Sequence, residues 1–458
     1  MAICETRAVA EQSFDVVVIG AGPAGEVAAG RLGEAGLEVA LVEEHLVGGE
    51  CSYYACMPSK ALLRPGQLLA EIDRVPGVRA DGLDVAAVLA RRDEVIHDLD
   101  DSVQLPWLEQ RGVTLVRGRG RLDGEQRVRV GDDALVARRA VVIATGSGAA
   151  MPPIPGLKDA RPWGNREATT ATEPPESLVI LGGGVVGVEL AQAWASLGTC
   201  VTVVEGQSRL VSREEPFACE QVGAALREAG VDLRTGTKAV SVSRNGDVTV
   251  ELEDGTTASG AELLVAVGRR PATDGLGLET VGLEPGKSVE VGANLRSPTH
   301  DWLYAIGDVN GRALLTHMGK YQARLAADAI LGKDVSLVSD GLLSPRVIFT
   351  DPQVAAVGHT LASAEQAGLK VRALDVETSA NAGGSFVGRD APGTSRLVVD
   401  EDGVIVGATF TGVEVAESLY AATIAVVCKL SLEQLVHVVP CFPTRSELWL
   451  KLLEEYGL

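Results

Sequence analysis

One pattern of residues occurs twice in this chain of 458 residues. Each copy has a short apolar run, a turn of the form Gly-x-Gly-x-x-Gly, a helical stretch and a second apolar run that ends on a glutamate, 23 positions after the first glycine. The glycines are Gly20, Gly22 and Gly25 in one copy and Gly182, Gly184 and Gly187 in the other, and the glutamates are Glu43 and Glu205. The repetition predicts two strand-turn-helix-strand units.

Each position of the glycine turn has a physical purpose. The first glycine permits the tight turn, the second lets a phosphate approach the backbone, and the third lets the helix pack closely on the strand. The helix N-terminus offers its amides and the positive end of its dipole to a pyrophosphate, and the glutamate accepts hydrogen bonds from a ribose. Each copy therefore predicts a dinucleotide site, and two sites in one chain suggest a flavin and a nicotinamide that exchange a hydride.

The glutamate of the second copy bears on the choice of nicotinamide cofactor. A carboxylate at Glu205 accepts a hydrogen bond from a ribose 2′-hydroxyl but repels a 2′-phosphate. NADH is therefore predicted in preference to NADPH. Arg209, four residues later, is a cation that would weaken this preference if it faced the ribose, although a solvated surface arginine is the favoured interpretation.

Two cysteines, Cys51 and Cys56, lie between a pair of glycines and Lys60. On a regular helix a spacing of five residues gives a rise of ~7.5 Å, beyond the ~6.8 Å limit between the Cα atoms of a disulfide. A bond between them would require a distorted first turn. Pro58 just downstream suits the start of a regular helix, and the glycines upstream permit an irregular entry. Two inert thiols and half of a zinc site are the alternatives, but only His45 lies nearby as a further ligand, so no metal is predicted.

The run from Cys51 to Lys60, Cys-Ser-Tyr-Tyr-Ala-Cys-Met-Pro-Ser-Lys, resembles the redox-active disulfide signature of the class I pyridine nucleotide-disulfide oxidoreductases. That family includes dihydrolipoamide dehydrogenase, glutathione reductase and mercuric reductase. The resemblance covers nearly the whole chain. Besides the two repeats it includes the segments 141–147, 265–271, 302–308 and 347–358.

The resemblance implies an α/β fold with two Rossmann-like dinucleotide-binding domains, one inserted in the other, and a C-terminal α+β dimerisation domain. The implied limits are 1–150 for the first part of the FAD domain, 151–270 for the NAD domain, 271–345 for the second part of the FAD domain and central region, and 346–458 for the dimerisation domain. A homodimer is expected on the same ground.

The resemblance also assigns roles to single residues. A hydride passes from NADH to the flavin, and electrons then pass to the Cys51–Cys56 disulfide, with Cys56 next to the flavin and Cys51 attacking the external disulfide. Lys60 and Glu189 match an ion pair beside the flavin. The remaining residues assigned to cofactor binding, besides the glycines and glutamates of the repeats, are Gly49, Ala144, Thr145, Gly146, Gly268, Gly307, Asp308 and His317.

One position departs from the family pattern. In the disulfide-reducing members a C-terminal histidine is the general acid and base for the thiols, and a glutamate orients it. Here Phe442 occupies the histidine position, while Glu447 remains. A proton donor would have to be Tyr53 or Tyr54, His437, or an acidic thiol on the substrate. Cys441, beside the gap, is interpreted as a buried small side chain in preference to a third redox thiol.

Three functions stay open at this stage. The favoured one is an FAD-dependent NAD(P)H disulfide oxidoreductase that acts on an unidentified disulfide or, in reverse, on a dithiol. The alternative is an NADH-dependent quinone or dye reductase in which the flavin reduces the acceptor directly. The third and weakest is a protein without enzymatic activity. The chain carries no vicinal cysteine pair near Leu458, so mercury is not supported as substrate.

The charge of the chain bears on its partners and compartment. With 62 acidic and 41 basic residues the formal net charge is −21, which repels nucleic acids and anionic membranes. Apolar runs stay far below the ~20 residues that a membrane-spanning helix needs, and residues 1–14 lack the apolar core of a secretion signal. Seven scattered cysteines favour a reducing compartment, so a cytoplasmic location is expected.

Overall fold

The computed structural model describes residues 11–391 and 393–458, so Cys4 lies outside the described residues. The strands are β1 (Glu11–Ile19), β2 (Val39–Glu43), β3 (Val113–Arg117), β4 (Gly120–Leu122), β5 (Arg127–Val130), β6 (Asp133–Ile143), β7 (Ser147–Ala149), β8 (Ser177–Leu181), β9 (Cys200–Glu205), β10 (Asp232–Thr235), β11 (Ala239–Asn245), β12 (Asp247–Leu252), β13 (Thr257–Gly260), β14 (Glu262–Val265), β15 (Arg269–Pro271), β16 (Leu303–Ala305), β17 (Arg346–Ile348), β18 (Gln353–Gly358), β19 (Val371–Glu377), β20 (Thr394–Asp400) and β21 (Ile405–Gly412). The helices are α1 (Pro23–Glu34), α2 (Gly49–Tyr53), α3 (Cys56–Arg74), α4 (Val85–Val95), α5 (Leu105–Glu109), α6 (Asn165–Thr170), α7 (Val185–Ser196), α8 (Pro216–Glu228), α9 (Thr316–Ile330), α10 (Leu361–Gln366), α11 (Leu419–Val427), α12 (Leu432–Leu435) and α13 (Leu448–Tyr456).

The chain divides into two compact units. The first consists of the chain up to Cys56 together with Ile96–Gly148 and Arg269–Asp340, and the second consists of Met57–Val95, Ala149–Gly268 and Gly341–Leu458. This division into two units does not test the four predicted domain limits, which remain a prediction. In the described residues, no helix is both long and apolar enough to cross a membrane.

The first unit is organised around one large sheet of order β3-β2-β1-β6-β5-β4, with β16 also paired to β6. Strands β3, β2, β1, β6 and β16 pair in parallel, while β4, β5 and β6 form an antiparallel meander. The run Val16-Val17-Val18 in β1 is wholly buried, as expected for a parallel strand covered on both faces. The carboxyl ends of the parallel strands therefore meet at one edge of the sheet.

The second unit contains a parallel sheet of order β10-β9-β8-β14 and an antiparallel sheet β11-β12-β13. It also contains a five-stranded antiparallel sheet of order β17-β18-β21-β20-β19, against which α11 and α13 pack. The buried residues of that last sheet and its helices form an apolar core of their own, which includes Phe410 and Leu452.

The two sequence repeats fold alike, as β1-α1-β2 and as β8-α7-β9. Gly20 and Gly182 both take positive φ angles, +100° and +108°, which a residue with a side chain rarely adopts. A Cβ atom on Gly25 would lie 1.9 Å from the carbonyl oxygen of Gly20, and a Cβ on Gly187 would lie 1.9 Å from that of Gly182. The first and third glycines are therefore required by the turn itself.

Candidate active site

The two cysteines stand on consecutive helices. Cys51 lies in α2, the chain leaves helical geometry at Tyr54, whose φ is −133°, and Cys56 is the first residue of α3. The break removes the separation that a continuous helix would impose. The two side chains are hydrogen-bonded as free thiols, and Thr316 Oγ1 of α9 lies 3.4 Å from Cys56 Sγ. No role was predicted for Thr316 from the sequence, although this residue directly precedes the assigned His317.

The surroundings of Cys51 favour its neutral form. Its hydrogen bond with Cys56 is the largest effect, followed by burial, and together they raise the pKa of the Cys51 thiol. A hydrogen bond from Thr316 and the positive charge of Lys320 act in the opposite direction. Because the thiolate is the nucleophile in disulfide exchange, Cys51 depends on these opposing groups to react near neutral pH.

The first glycine turn is open where a phosphate would lie. Apart from its chain neighbours, no described residue has an atom within 4 Å of the position of a Cβ on Gly22, which precedes α1. Glu43 closes the turn from the end of β2, with one carboxylate oxygen accepting from the Ala21 amide at 2.7 Å and the other from the His45 amide at 2.7 Å. Gly49 packs on the turn so tightly that a Cβ would lie 2.8 Å from the Gly22 Cα atom.

Other assigned residues of the first unit meet near β6 and β16. A Cβ on Gly20 would lie 2.5 Å from the Ala144 carbonyl oxygen, so this backbone approaches the turn closely. Thr145 Oγ1 is buried and has no hydrogen-bond partner among the described residues. An open cradle at Gly22 and an orphaned hydroxyl at Thr145 both fit a bound dinucleotide such as FAD, which offers phosphate and hydroxyl groups.

Asp308 lies in a small polar network that the sequence analysis did not include. Its carboxylate accepts a hydrogen bond from Ser147 Oγ at 2.6 Å, and Arg269 Nε donates to the same hydroxyl at 2.7 Å. Ser147 and Arg269 lie within the segments 141–147 and 265–271 that carry the family resemblance, but no role was assigned to either residue from the sequence. Gly146, Gly268 and Gly307 all have positive φ angles, and His317 is exposed in the first turn of α9.

The second glycine turn reproduces the first. One oxygen of the Glu205 carboxylate accepts from the Gly183 amide and the other from the Gln207 amide, both at 2.6 Å. The Cβ position of Gly184, which precedes α7, is again open. Arg209 is exposed. This turn therefore fits a second dinucleotide, with a carboxylate fixed where the ribose of a nicotinamide cofactor would lie.

The structure brings Lys60 and Glu189 together. Lys60 Nζ lies 2.6 Å from one oxygen of Glu189, whose side chain is 5% exposed. The other oxygen accepts from the Phe349 amide at 2.8 Å, and the Lys60 ammonium lies 4.7 Å from the centre of the Phe349 ring. Phe349 was not identified from the sequence because an apolar residue carries no chemical signal of such a contact. A buried carboxylate that accepts a hydrogen bond at each oxygen is held in one orientation beside its lysine.

The C-terminal segment corrects one prediction. Cys441 was expected to be buried, but it is exposed, because residues 437–442 lie on the surface outside any helix or strand. Phe442 is 78% exposed. Glu447 accepts a hydrogen bond from the Gly383 amide at 3.3 Å and so helps to hold the neighbouring loop. Among the described residues, no group of histidine, cysteine, aspartate and glutamate is arranged to hold a metal ion.

Residues 14–328 match the family profile described as pyridine nucleotide-disulphide oxidoreductase, and residues 344–452 match the profile of that family's dimerisation domain. The chain belongs to the pyridine nucleotide-disulphide oxidoreductase family. This confirms the predicted family and the α/β fold class.

Relatives within the family align with nearly the whole length of this chain. Dihydrolipoyl dehydrogenase 3 from Pseudomonas aeruginosa is 34% identical over 457 residues, covering 95% of this chain and 96% of that protein. Mercuric reductase from Staphylococcus aureus is 30% identical, covering 95% and 81%. The Cu(II) complex of the HOCl-induced flavoprotein disulfide reductase RclA from Escherichia coli has a TM-score of 0.86 at 26% identity, covering 97% and 99%. The chain is therefore an enzyme of the flavoprotein disulfide oxidoreductase type, and its family uses FAD and a pyridine nucleotide.

Proposed function

We propose that this enzyme moves two electrons between NADH and a small-molecule disulfide or dithiol, by way of bound FAD and the Cys51–Cys56 pair. The observation that carries the proposal is the pair itself. The break between α2 and α3 brings two half-buried cysteines into hydrogen-bonding contact, and Thr316 adds a hydroxyl to the same cluster. Adjacent thiols of this kind interconvert with a disulfide by losing or gaining two electrons and two protons.

The residues around the cofactor positions would bind and orient. The amides at the start of α1 and α7 would receive the two pyrophosphates, and Glu43 and Glu205 retain lone pairs for ribose hydroxyls beside the amides that they already accept. Asp308, held by Ser147, would accept from the ribitol chain. FAD, when bound, supplies a carrier that takes a hydride and passes on an electron pair. Lys60, held by Glu189, matches the lysine of the ion pair that the family resemblance assigns to the flavin.

NADH is proposed over NADPH because Glu205 is fixed by two backbone amides. A carboxylate that is fixed in this way does not rotate away from a 2′-phosphate, so the repulsion is retained.

The exchange with substrate is assigned to Cys51. Its thiolate attacks one sulfur of an external disulfide, the external S–S bond breaks, and one substrate thiolate leaves with the electron pair. Cys56 then attacks Cys51 Sγ, which forms the Cys51–Cys56 disulfide and releases the second substrate thiolate. Run backwards, the same steps oxidise a dithiol.

Thiol labelling tests this function. The purified flavoprotein is treated anaerobically with NADH, alkylated and analysed by mass spectrometry, with an untreated sample beside it. We expect Cys51 and Cys56 to become alkylated only after NADH, while the exposed Cys428 is alkylated in both samples and serves as the internal control. Equal labelling of Cys51 and Cys56 with and without NADH would show that NADH does not reduce the pair.

A quinone reductase is the second candidate, and the exposed Phe442 is the observation that favours it. Without the histidine, exchange with an ordinary disulfide loses general acid-base help that is typically worth ~10² to 10⁴ in rate. Reduction of a quinone would not need that help. In this case a Cys51→Ser, Cys56→Ser double variant keeps full turnover with a quinone, whereas the disulfide function requires both thiols.

A further inference from the structure

One face of α9 carries two polar residues, Thr316 and Lys320, and the first of them contacts the cysteine cluster. Thr316 begins the helix and contacts Cys56, and Lys320 follows four residues later. Residues four apart on a helix lie on the same face, about 6 Å apart along the axis. Lys320 is exposed and makes no ion pair with any residue in the described part of the chain. It is therefore a cation whose charge is not neutralised by a fixed partner.

The turn of α9 that contains Lys320 is fixed against α1. A Cβ atom on Gly319 would lie 3.3 Å from the Ala24 Cβ atom, which shows how closely the first turns of the two helices approach. Glu26 belongs to the same turn of α1 as Ala24. The charge of Lys320 acts on the Glu26 carboxyl on one side and on the Cys51 thiol on the other.

Neither Tyr53 nor Thr316 supplies a positive charge to Cys51 in place of the histidine. Tyr53 is buried, and burial raises its pKa to about 12, so it neither gains nor loses a proton near neutral pH. Thr316 offers a hydrogen bond but no charge. Cys56, Thr316 and Lys320 act on the Cys51 thiol, and Lys320 is the cation among these three.

We propose that Lys320 is the cation that stabilises the Cys51 thiolate, so that this enzyme exchanges with its substrate without the family's histidine. Lys320 lies on the same helix face as Thr316, which contacts Cys56, and its long side chain is free to follow the developing negative charge. It would stabilise the thiolate before the attack and the departing substrate thiolate afterwards, and solvent would supply the protons to the products. The inference rests on the proposed function, since a thiolate at Cys51 matters only if Cys51 exchanges with substrate.

The test measures the pKa of Cys51 without using turnover. The flavoprotein is reduced with a phosphine, freed of the reductant and alkylated with iodoacetamide over a range of pH, and the modification of Cys51 is followed by mass spectrometry. Iodoacetamide is neutral, so its approach is not affected by a change of charge. The variants are Lys320→Met, Lys320→Arg as the conservative rescue, and Arg324→Met as a control that removes a positive charge one turn further along α9.

We expect Lys320→Met to raise the pKa of Cys51 by about 0.5 to 1 unit, and thus to lower its alkylation rate at pH 7 about 3- to 10-fold. Lys320→Arg should restore the rate to within about twofold, and Arg324→Met should leave it unchanged. An unchanged pKa in Lys320→Met, or an equal shift in Arg324→Met, would overturn the proposal. Because the reductant is a phosphine, this result is independent of whether NADH reduces the pair, so a failure of the proposed function is distinguishable from a failure of this inference.

Discussion

Glu26 is a half-buried carboxyl whose protonation should control the pH dependence of stability. Burial is the largest effect and raises the pKa of Glu26 from 4.5 to about 7, opposed by Lys320 and reinforced by the carboxylates of Glu43 and Asp101. Between pH 4.5 and 7 the folded protein therefore binds a proton that the unfolded chain has released. The free energy of unfolding consequently falls as the pH rises through this window, and the loss is complete above about pH 7.

We predict that Glu26→Gln removes this loss, because an amide has no charge to desolvate. At pH 8 the variant should exceed the parent protein by about 1 to 3 kcal/mol in the free energy of unfolding, and at pH 4.5 the two should be nearly equal. Urea unfolding at the two pH values measures the difference. An identical pH dependence in both proteins would show that Glu26 ionises normally in the folded state.

Glu205 is predicted to set the preference for NADH. Glu205→Gln removes the negative charge but keeps one oxygen for the backbone amides of Gly183 and Gln207. We expect the ratio of kcat/KM for NADH to that for NADPH to fall about tenfold, since a repulsion of one to two kcal/mol is removed. Glu43→Gln, which has the same hydrogen bonds in the first repeat, is the control and should leave the ratio unchanged. A ratio that does not change in Glu205→Gln would assign the selection to other residues.

The second and third glycines of the turn between β8 and α7 should respond differently to the same substitution. In β8-α7-β9, Gly187→Ala would put a Cβ 1.9 Å from the Gly182 carbonyl oxygen. A Cβ at Gly184 would have no atom of the described residues within 4 Å, apart from its chain neighbours. We predict that Gly187→Ala lowers the free energy of unfolding by about 2 to 4 kcal/mol. Gly184→Ala should change it by less than about 1 kcal/mol but weaken the binding of NAD⁺ about tenfold.

Urea unfolding and calorimetric titration with NAD⁺ measure these two effects, and the FAD content of each variant controls for damage to the first repeat. If Gly184→Ala bound NAD⁺ as tightly as the parent protein, the open position in front of α7 would not be where the pyrophosphate lies.

The elements that repeat were the most predictable from the sequence. A glycine is required where φ is positive or where a Cβ would clash. The presence of glycine at positions 20 and 25 therefore indicates the backbone geometry of the turn. The break in the helix between the cysteines was predictable in part, because a disulfide between Cys51 and Cys56 would exclude one regular helix through both, but the spacing does not say where the helix ends. Lys60 and Glu189 are 129 positions apart in the sequence, and only the resemblance to a family predicted that they form an ion pair.

Other parts of the site could not be predicted, for physical reasons. Ser147, Arg269 and Thr316 act through single hydrogen bonds, and such bonds depend on tertiary distances that no local pattern encodes. Cys441 was wrongly expected to be buried, because cysteine is buried in most proteins but this one lies in a surface segment.

At the scale of the molecule, we expect two copies of the chain to associate through the dimerisation domain. Residues 344–452 match the family's dimerisation profile, and within this range Tyr420 and Ile424 are exposed one turn apart on α11. Tyr420→Glu should convert a dimer to a monomer in analytical ultracentrifugation, because a charge would have to be buried in the interface. Val338→Glu, at an equally apolar and exposed position outside this domain, is the control and should remain dimeric.

Anaerobic titration with NADH measures whether electrons pass through the Cys51–Cys56 disulfide on their way to the substrate. The holoenzyme should take up four electrons per chain, two in the disulfide and two in the flavin, and show a charge-transfer band between a thiolate and the flavin at the two-electron stage. Cys51→Ser should take up only two. If the parent protein took up only two electrons, and Cys51→Ser took up the same number, the disulfide would not lie on the electron path.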